Sequence, residues 1–344
     1  MEKSFDIIAL SMIILVTYSS KMVSVAGRSL HEPSIVEKHE KWMAEHGRTY
    51  KDDLEKEKRF KIFKENLEYI EKANEEANRT YKLGTNEFSD LTNEEFRASY
   101  TGYRVPSQSS SSRQSTTASF KYQNLTDVPT SMDWREKGAV TPIKNQGQCG
   151  DCWAFSTVAA VEGVTEISSG NLIPLSEQQI LDCSIDGNRG CGGGWMDNAF
   201  KYIIKNQGIA SEADYPYKEV QGTCEDAQVK AAAKISNFED VKPNDEQALL
   251  QAVAMQPVSI CIEGSGPDFQ SYKGGIFNGG CGTQCSHAVA IVGYGATEDG
   301  MKYWLIKNSW GESWGEAGYM RILRDVEAPE GLCGIATKPS YPVA

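Results

Sequence analysis

The chain has 344 residues, 40% of them hydrophobic, and a formal net charge of −12. That length and apolar share support a sizeable packed core and exclude a globally disordered chain. The charge deficit lies in residues 127–344, which hold 16 Lys/Arg against 28 Asp/Glu, and such an acidic surface argues against a nucleic-acid partner.

At the N-terminus, Lys3 precedes an apolar run from Ile7 to Val16, and the small residues Ser24 and Ala26 come next at signal-peptidase spacing. Residues 1–26 therefore read as a secretory signal, although Glu2 and Asp6 dilute the usual positive flank. The run is too short to span a bilayer and no other stretch approaches ~20 apolar residues, so no membrane segment is expected. All nine cysteines lie at or after Cys149. The part of the chain before Cys149 must fold without disulfides, and the part after it is expected to be stapled. The odd count leaves a free thiol or an intermolecular bridge.

From Ile35 to Asn78 the chain is charged and helical in pattern, with Trp42, Met43, Phe60, Phe63, Leu67 and Ile70 at spacings of three and four. Gly84, Asn86, Phe88 and Asp90 then alternate, which predicts an extended strand. Ser107 to Ser119 reads as a flexible, protease-sensitive linker. The sequons at Asn78 and Asn124 both precede Val128, so any N-glycan is expected outside the main domain. Beyond it, Trp153, Val161, Val164 and Ile167 predict one helical face. Pro257 to Ile260 and Tyr303 to Ile306 predict strands among glycine turns.

The densest chemistry is Gln146-Gly147-Gln148-Cys149-Gly150-Asp151-Cys152-Trp153-Ala154-Phe155. It reads as a glycine turn opening a helix, with Asp151 as N-cap and Cys152 in the first turn, where unpaired amides favour a thiolate. Cys149-x-x-Cys152 also permits a redox pair or half a metal site. His287 is the single histidine after the linker. A zinc group of Cys281, Cys285 and His287 would consume that imidazole, whereas acyl transfer to a cysteine requires it to activate the thiol and protonate the leaving amine. Asn308 can orient the ring through its side-chain carbonyl, and Trp310 can shield that bond from water.

With the cysteine block, Ser286-His287-Ala288-Val289 and Asn308-Ser309-Trp310-Gly311 together, the chain resembles a papain-family cysteine protease precursor of the cathepsin L-like and plant vacuolar branch over essentially its whole length. His287 and Asn308 lie 135 and 156 residues after Cys152, close to the family's separations. Glu55, Arg59, Phe63, Asn66, Ile70 and Asn74 match the helix motif of the family's inhibitory propeptide, and Gly84, Asn86, Phe88 and Asp90 its companion motif. The resemblance implies an α+β papain-like two-domain fold, with a helical left domain and a β-barrel-like right domain, preceded by a helical inhibitory prodomain. The expected division is 1–26 signal, 27–106 propeptide, 107–127 linker and processing region, and 128–344 peptidase.

It further implies a secreted or vacuolar/lysosomal endopeptidase, made as a zymogen, that needs no cofactor or metal. Polypeptide substrates, its own propeptide and cystatin-type inhibitors are the expected partners of a monomer. By resemblance, Cys152 is the nucleophile, His287 the acid/base, Asn308 its orienting partner and Gln146 an oxyanion donor. The implied disulfides are Cys149–Cys191, Cys183–Cys224 and Cys281–Cys333. Gly193, Gly194, Trp195, Met196, Cys261, Ala288, Trp310 and Lys338 fall at substrate-binding positions, with free thiols favoured over a fourth disulfide at Cys261 and Cys285. Asp151 departs from the small residue usual before the nucleophile, and its side chain is expected to turn away and cap the helix. Lys338 at the far end of an apolar pocket leads to the expectation that arginine is disfavoured there, unless the lysine points to solvent. An inactive binding relative would be expected to have lost Cys152, His287 or Gln146, and all three are present. The ending Tyr341-Pro342-Val343-Ala344 lacks a Lys-Asp-Glu-Leu-type retrieval signal.

Overall fold

The computed structural model describes residues 33–102 and 120–344. The expected signal and the Ser107–Ser119 linker lie outside the described residues. Two helices open the structure, α1 (Ile35–Glu45) and α2 (Asp53–Glu75). A capping box of Ser34 and Glu37 starts α1, and the Asp52 carboxylate accepts from the Glu55 N–H to start α2. Their shared core is small: Trp42, Phe63 and Leu67. His39 is buried beside it, against the rings of Trp42, Tyr50, Phe60 and Phe63.

Next come β1 (Tyr81–Leu83) and α3 (Asn93–Tyr100), the latter opened by a Thr92–Glu95 capping box. The strand predicted through Gly84–Asp90 is not formed; residues 87–91 turn instead. Asn86 Oδ1 accepts from the Phe88 N–H and Ser89 Oγ from the Asn86 N–H, local bonds that replace a ladder. The alternation marks burial rather than extension, with Asn86, Phe88 and Asp90 all inside.

The larger part begins with β2 (Met132–Asp133), α4 (Cys152–Ser169), α5 (Glu177–Cys183) and α6 (Met196–Lys205). After these come β3 (Asn237–Asp240), α7 (Glu246–Val253), β4 (Val258–Ile262), α8 (Pro267–Gln270), β5 (Tyr272–Phe277), β6 (His287–Ala296), β7 (Lys302–Lys307), β8 (Tyr319–Leu323) and β9 (Ser340–Val343). Helix α4 is the spine of one half, packed with Leu175, Ile180, Met196, Phe200 and Ile203. The predicted face ends at Val164: Ile167, in the last turn before the left-handed Gly170 cap, is 43% exposed.

The strands form one sheet in the order β1-β5-β8-β7-β6-β4-β9-β3, with β2 on β6. It is open rather than a closed barrel, because β1 and β3 end it without pairing to each other. Its core gathers Tyr272, Trp304, Ile306, Trp314, Ile322 and Tyr341. A buried ionic cluster crosses between the halves: Lys144 pairs with Glu162 of α4 at 2.9 Å and Glu177 of α5 at 2.7 Å. Lys307 of β7 lies 3.9 Å from Glu162 and donates to Thr141. Among the described residues no helix is long and apolar enough to cross a membrane.

Candidate active site

Cys152 opens α4 and is fully buried, its Sγ accepting from the Ala288 N–H at 3.4 Å. The neighbouring His287 opens β6, where it lies opposite Ile262 of β4. With Nε2 protonated, its ring donates to Asn308 Oδ1 at 2.7 Å, and the same oxygen accepts from the Ser309 N–H. Asn308 immediately follows β7, the next strand, so sheet register brings the two side chains together. Trp310 stacks over the imidazole at 4.3 Å and is itself buried. His287 Nδ1 is buried without a hydrogen-bond partner among the described residues.

Gln146 completes the cluster. Its Nε2 donates to the Cys149 carbonyl at 2.7 Å, its Oε1 accepts from Ser309 Oγ at 2.6 Å, and its backbone N–H is bonded to the Ser309 carbonyl. Ser309 is thus a positioning contact that the sequence reading passed over, although it sits inside the asparagine motif.

The prosegment main chain fills the cleft. The Tyr100 carbonyl accepts from Trp310 Nε1 at 3.2 Å and lies 3.5 Å from Gln146 Nε2, and the Gly102 carbonyl accepts from the Gly194 N–H at 2.9 Å. A Cβ on Gly102 would fall 1.8 Å from the Gly150 carbonyl oxygen, so only glycine fits this approach. Phe88 and Phe96 close over Trp310 edge-to-face. Burial pushes the Cys152 thiol up to about 12, against the N–H groups of Ala288 and Gly102, and lowers the His287 imidazole to about 4 despite Asn308. Both shifts favour the uncharged thiol and imidazole in the covered cleft.

The prosegment is anchored around this plug. Arg59 ties Glu55 to Glu95, Asn66 donates to the Ser89 and Leu91 carbonyls, and Asn74 brackets Leu83. The helix motif thus shapes the segment that touches the peptidase. There Asn86 Nδ2 donates to the Gln270 carbonyl, and Asp268 takes Arg79 at 2.8 Å and the hydroxyls of Tyr69 and Tyr81 at 2.5 Å each. Strand β1 pairs with β5, where a Cβ on Gly275 would meet the Thr80 carbonyl at 2.5 Å.

Among the pocket residues, Met196, Cys261 and Ala288 are buried in one apolar cluster with Cys152, and Trp195 and Cys285 pack against it. Gly193 is buried, with φ at +103°. Lys338 is exposed, near Asp197 and Asp240, whose carboxyls feel its charge. Thr337 instead reaches inward, its Oγ1 lying 3.6 Å from Cys261 Sγ and 3.4 Å from Cys285 Sγ. Asn78 and Asn124 are both exposed.

Three disulfides are those the resemblance implied: Cys149–Cys191, Cys183–Cys224 and Cys281–Cys333. The expectation of free thiols at Cys261 and Cys285 is overturned, for they form a fourth bridge with Cα atoms 5.4 Å apart. The register of β4 and β6 sets Cys261 opposite Ala288, and the Ser286 N–H bonds to the Ile262 carbonyl, which draws Cys285 alongside. Among the described residues Cys152 is the one free cysteine. These pairings leave neither a Cys149–Cys152 redox pair nor free Cys281 and Cys285 thiols for zinc. The Asp151 expectation also fails: it occupies the N-cap position but its side chain makes no cap bond, lying instead 2.8 Å from the Tyr217 hydroxyl.

Comparison with known proteins agrees with this architecture. Residues 128–343 match the papain family cysteine protease model, and residues 39–96 match the cathepsin propeptide inhibitor domain. The senescence-specific cysteine protease SAG12 of Arabidopsis thaliana is 52% identical over 331 residues, spanning 94% of this chain and 95% of the relative. A recombinant stem bromelain precursor superposes with a TM-score of 0.83 at 47% identity, covering 90% of this chain and 98% of the other. The ragweed pollen allergen Amb a 11 cysteine protease, in its proform, gives 0.82 at 42% identity, covering 90% and 94%. The chain therefore belongs to the papain family of cysteine proteases and carries that family's inhibitory propeptide domain.

Proposed function

We propose that the chain is the zymogen of a secretory-pathway endopeptidase in which Cys152 attacks the scissile carbonyl and His287 serves as acid and base. The observation that carries this reading is the Cys152 sulfur held by the N–H of Ala288, the residue after the Asn308-bound His287, with Gln146 beside them beneath a cleft filled by the prosegment backbone. The thiolate adds to the carbonyl, and the developing oxyanion is held by Gln146 Nε2 and the Cys152 N–H. The His287 imidazolium then protonates the departing amine. Afterwards neutral His287 takes a proton from water, which attacks the thioester and releases the acid. The neutral pair in the covered cleft supports latency: removal of the prosegment readmits water and lowers the cost of the thiolate–imidazolium pair.

Trp195, Met196, Ala288 and the Cys261–Cys285 bridge support a hydrophobic preference for the second residue N-terminal to the scissile bond. Arginine is disfavoured there, and a substrate library in which it ranked first would overturn this. Cleavage near Asp127–Val128, an N-terminal signal, glycans on Asn78 and Asn124, control by cystatin-type inhibitors, a monomeric state and residence in a vacuole, lysosome or the exterior complete the reading.

The test is incubation of the purified precursor at mildly acidic pH with a thiol reductant, alongside Cys152→Ala. Wild type shortens to a start near Val128 and gains hydrolysis of a hydrophobic fluorogenic peptide, and Cys152→Ala does neither. Hydrolysis by the Cys152→Ala chain would overturn the assignment.

A further inference from the structure

Asp151, next to the expected nucleophile, is a fully buried carboxyl that the acyl-transfer steps do not use. Its Oδ2 lies 2.8 Å from the Tyr217 hydroxyl, and that hydroxyl lies 2.8 Å from the Gln146 backbone carbonyl. The Gln146 carbonyl can only accept, and a hydroxyl carries a single proton. If Tyr217 donates to Gln146, the contact with Asp151 needs a second proton, which only a protonated carboxyl can supply. Were Asp151 ionised, one of these two short oxygen–oxygen contacts would hold no hydrogen.

The surroundings favour the protonated form. Asp151 Oδ1 is buried and has no hydrogen-bond partner among the described residues. The groups facing the carboxyl are Tyr217, its own backbone N–H, the Cys152 thiol, Glu177 and Glu219; the first two favour ionisation, both glutamates oppose it, none is a cation, and burial outweighs the rest. The phenol ring of Tyr217 stands edge-on to Phe155 of α4 at 5.0 Å, which fixes the hydroxyl between its two partners. Burial holds the Asp151 carboxyl well above the usual carboxylate range.

We infer that Asp151 is a positioning residue that works as a neutral acid, passing a hydrogen bond through Tyr217 to Gln146, and that its ionisation turns the protease down as pH rises. The inference rests on the proposed roles of Cys152 and Gln146. In the neutral form the relay pins the loop that aims Gln146 Nε2, and Asp151 places no charge beside the sulfur. On ionisation the Asp151–Tyr217 contact becomes repulsive or Tyr217 abandons Gln146, and the new charge disfavours the Cys152 thiolate. Because the carboxyl is raised in the fold, the active arrangement is complete at acidic pH and is lost as pH climbs through that ionisation.

The test is the pH profile of kcat/KM for mature wild type, Asp151→Asn, Asp151→Ser and Tyr217→Phe, together with the rate and site of iodoacetamide alkylation. An asparagine Nδ2 donates to Tyr217 at every pH, so Asp151→Asn keeps its acidic-range kcat and its alkaline limb moves up by about one pH unit or more. Asp151→Ser, a small residue at this position, moves the limb the same way and serves where the asparagine chain fails to fold. Tyr217→Phe lowers kcat about tenfold with KM little changed. Alkaline limbs that coincide in wild type and both Asp151 variants, or an unchanged kcat in Tyr217→Phe, would overturn the inference. Alkylation that spares Cys152, or hits it without loss of activity, would instead overturn the nucleophile assignment itself.

Discussion

The prosegment, described over residues 33–102, has no cysteine; α1 and α2 share only the small core of Trp42, Phe63 and Leu67, other buried residues such as Ile70, Phe88 and Phe96 join the peptidase core, and its ion pairs are mostly open to solvent. The peptidase half carries four disulfides and a salt-bridge cluster in which Glu162 and Glu177 are almost wholly buried. The first arrangement leans on contacts that solvent competes for, the second on covalent staples and charges that solvent does not reach. Where they meet, the prosegment uses aromatic rings on Trp310, one short strand pairing and the Asp268 cluster, contacts that are numerous but individually replaceable by water.

The comparison breaks most severely at Glu162. Its loss leaves Lys144 and Lys307 buried with one fewer counter-charge, so Glu162→Ala costs about 3–5 kcal/mol. Urea unfolding of the Cys152→Ala precursor will show that cost in the peptidase transition, and a loss confined to the prosegment transition would refute the partition. Asp268→Ala is the smaller, opposite case. It removes the partner of Tyr69, Tyr81 and Arg79 and weakens only the joint, by about 2 kcal/mol. The precursor then activates faster at a fixed acidic pH while the mature enzyme melts as wild type does.

His39 sharpens the comparison through pH. Burial lowers its imidazole from the ordinary 6.5, with Glu40 and Asp90 opposing and Lys56 assisting. A depressed imidazole stabilises the fold above 6.5, and this contribution is lost as pH falls toward and through the lowered value. His39→Phe therefore holds the prosegment in place to a lower pH, a shift of a few tenths of a pH unit read from the midpoint of activation. No shift, or one toward neutrality, would remove His39 from the acid response.

The residues gathered at the candidate site were legible because Cys152, His287 and Asn308 each sit in a short motif whose neighbours constrain them. What escaped the sequence depended on partners far along the chain. Cys261 and Cys285 become a pair only through the β4–β6 register, and Asp151 abandons its cap because Tyr217, 66 residues away, reaches it first. The alternation from Gly84 to Asp90 looked like a strand because a turn that buries Asn86, Phe88 and Asp90, with Ser89 beside them, places its motif residues at a strand's period. Ile167 continued a helical spacing into the one turn of α4 that nothing covers. The open sheet was likewise hidden, since its outer strand β1 belongs to the prosegment.

That borrowed strand has its own aftermath. While the prosegment is present, the Gly274–Gly275 stretch of β5 is paired on its outer side; once it leaves, the backbone donors and acceptors there face water as a bare rim. Rims of this kind invite intermolecular pairing, and two adjacent glycines with the exposed Lys273 make this one short, kinked and charged, a poor template for another chain. Gly275, whose missing Cβ lets the Thr80 carbonyl approach, is thus also the residue whose left-handed backbone bends this rim once it is bare.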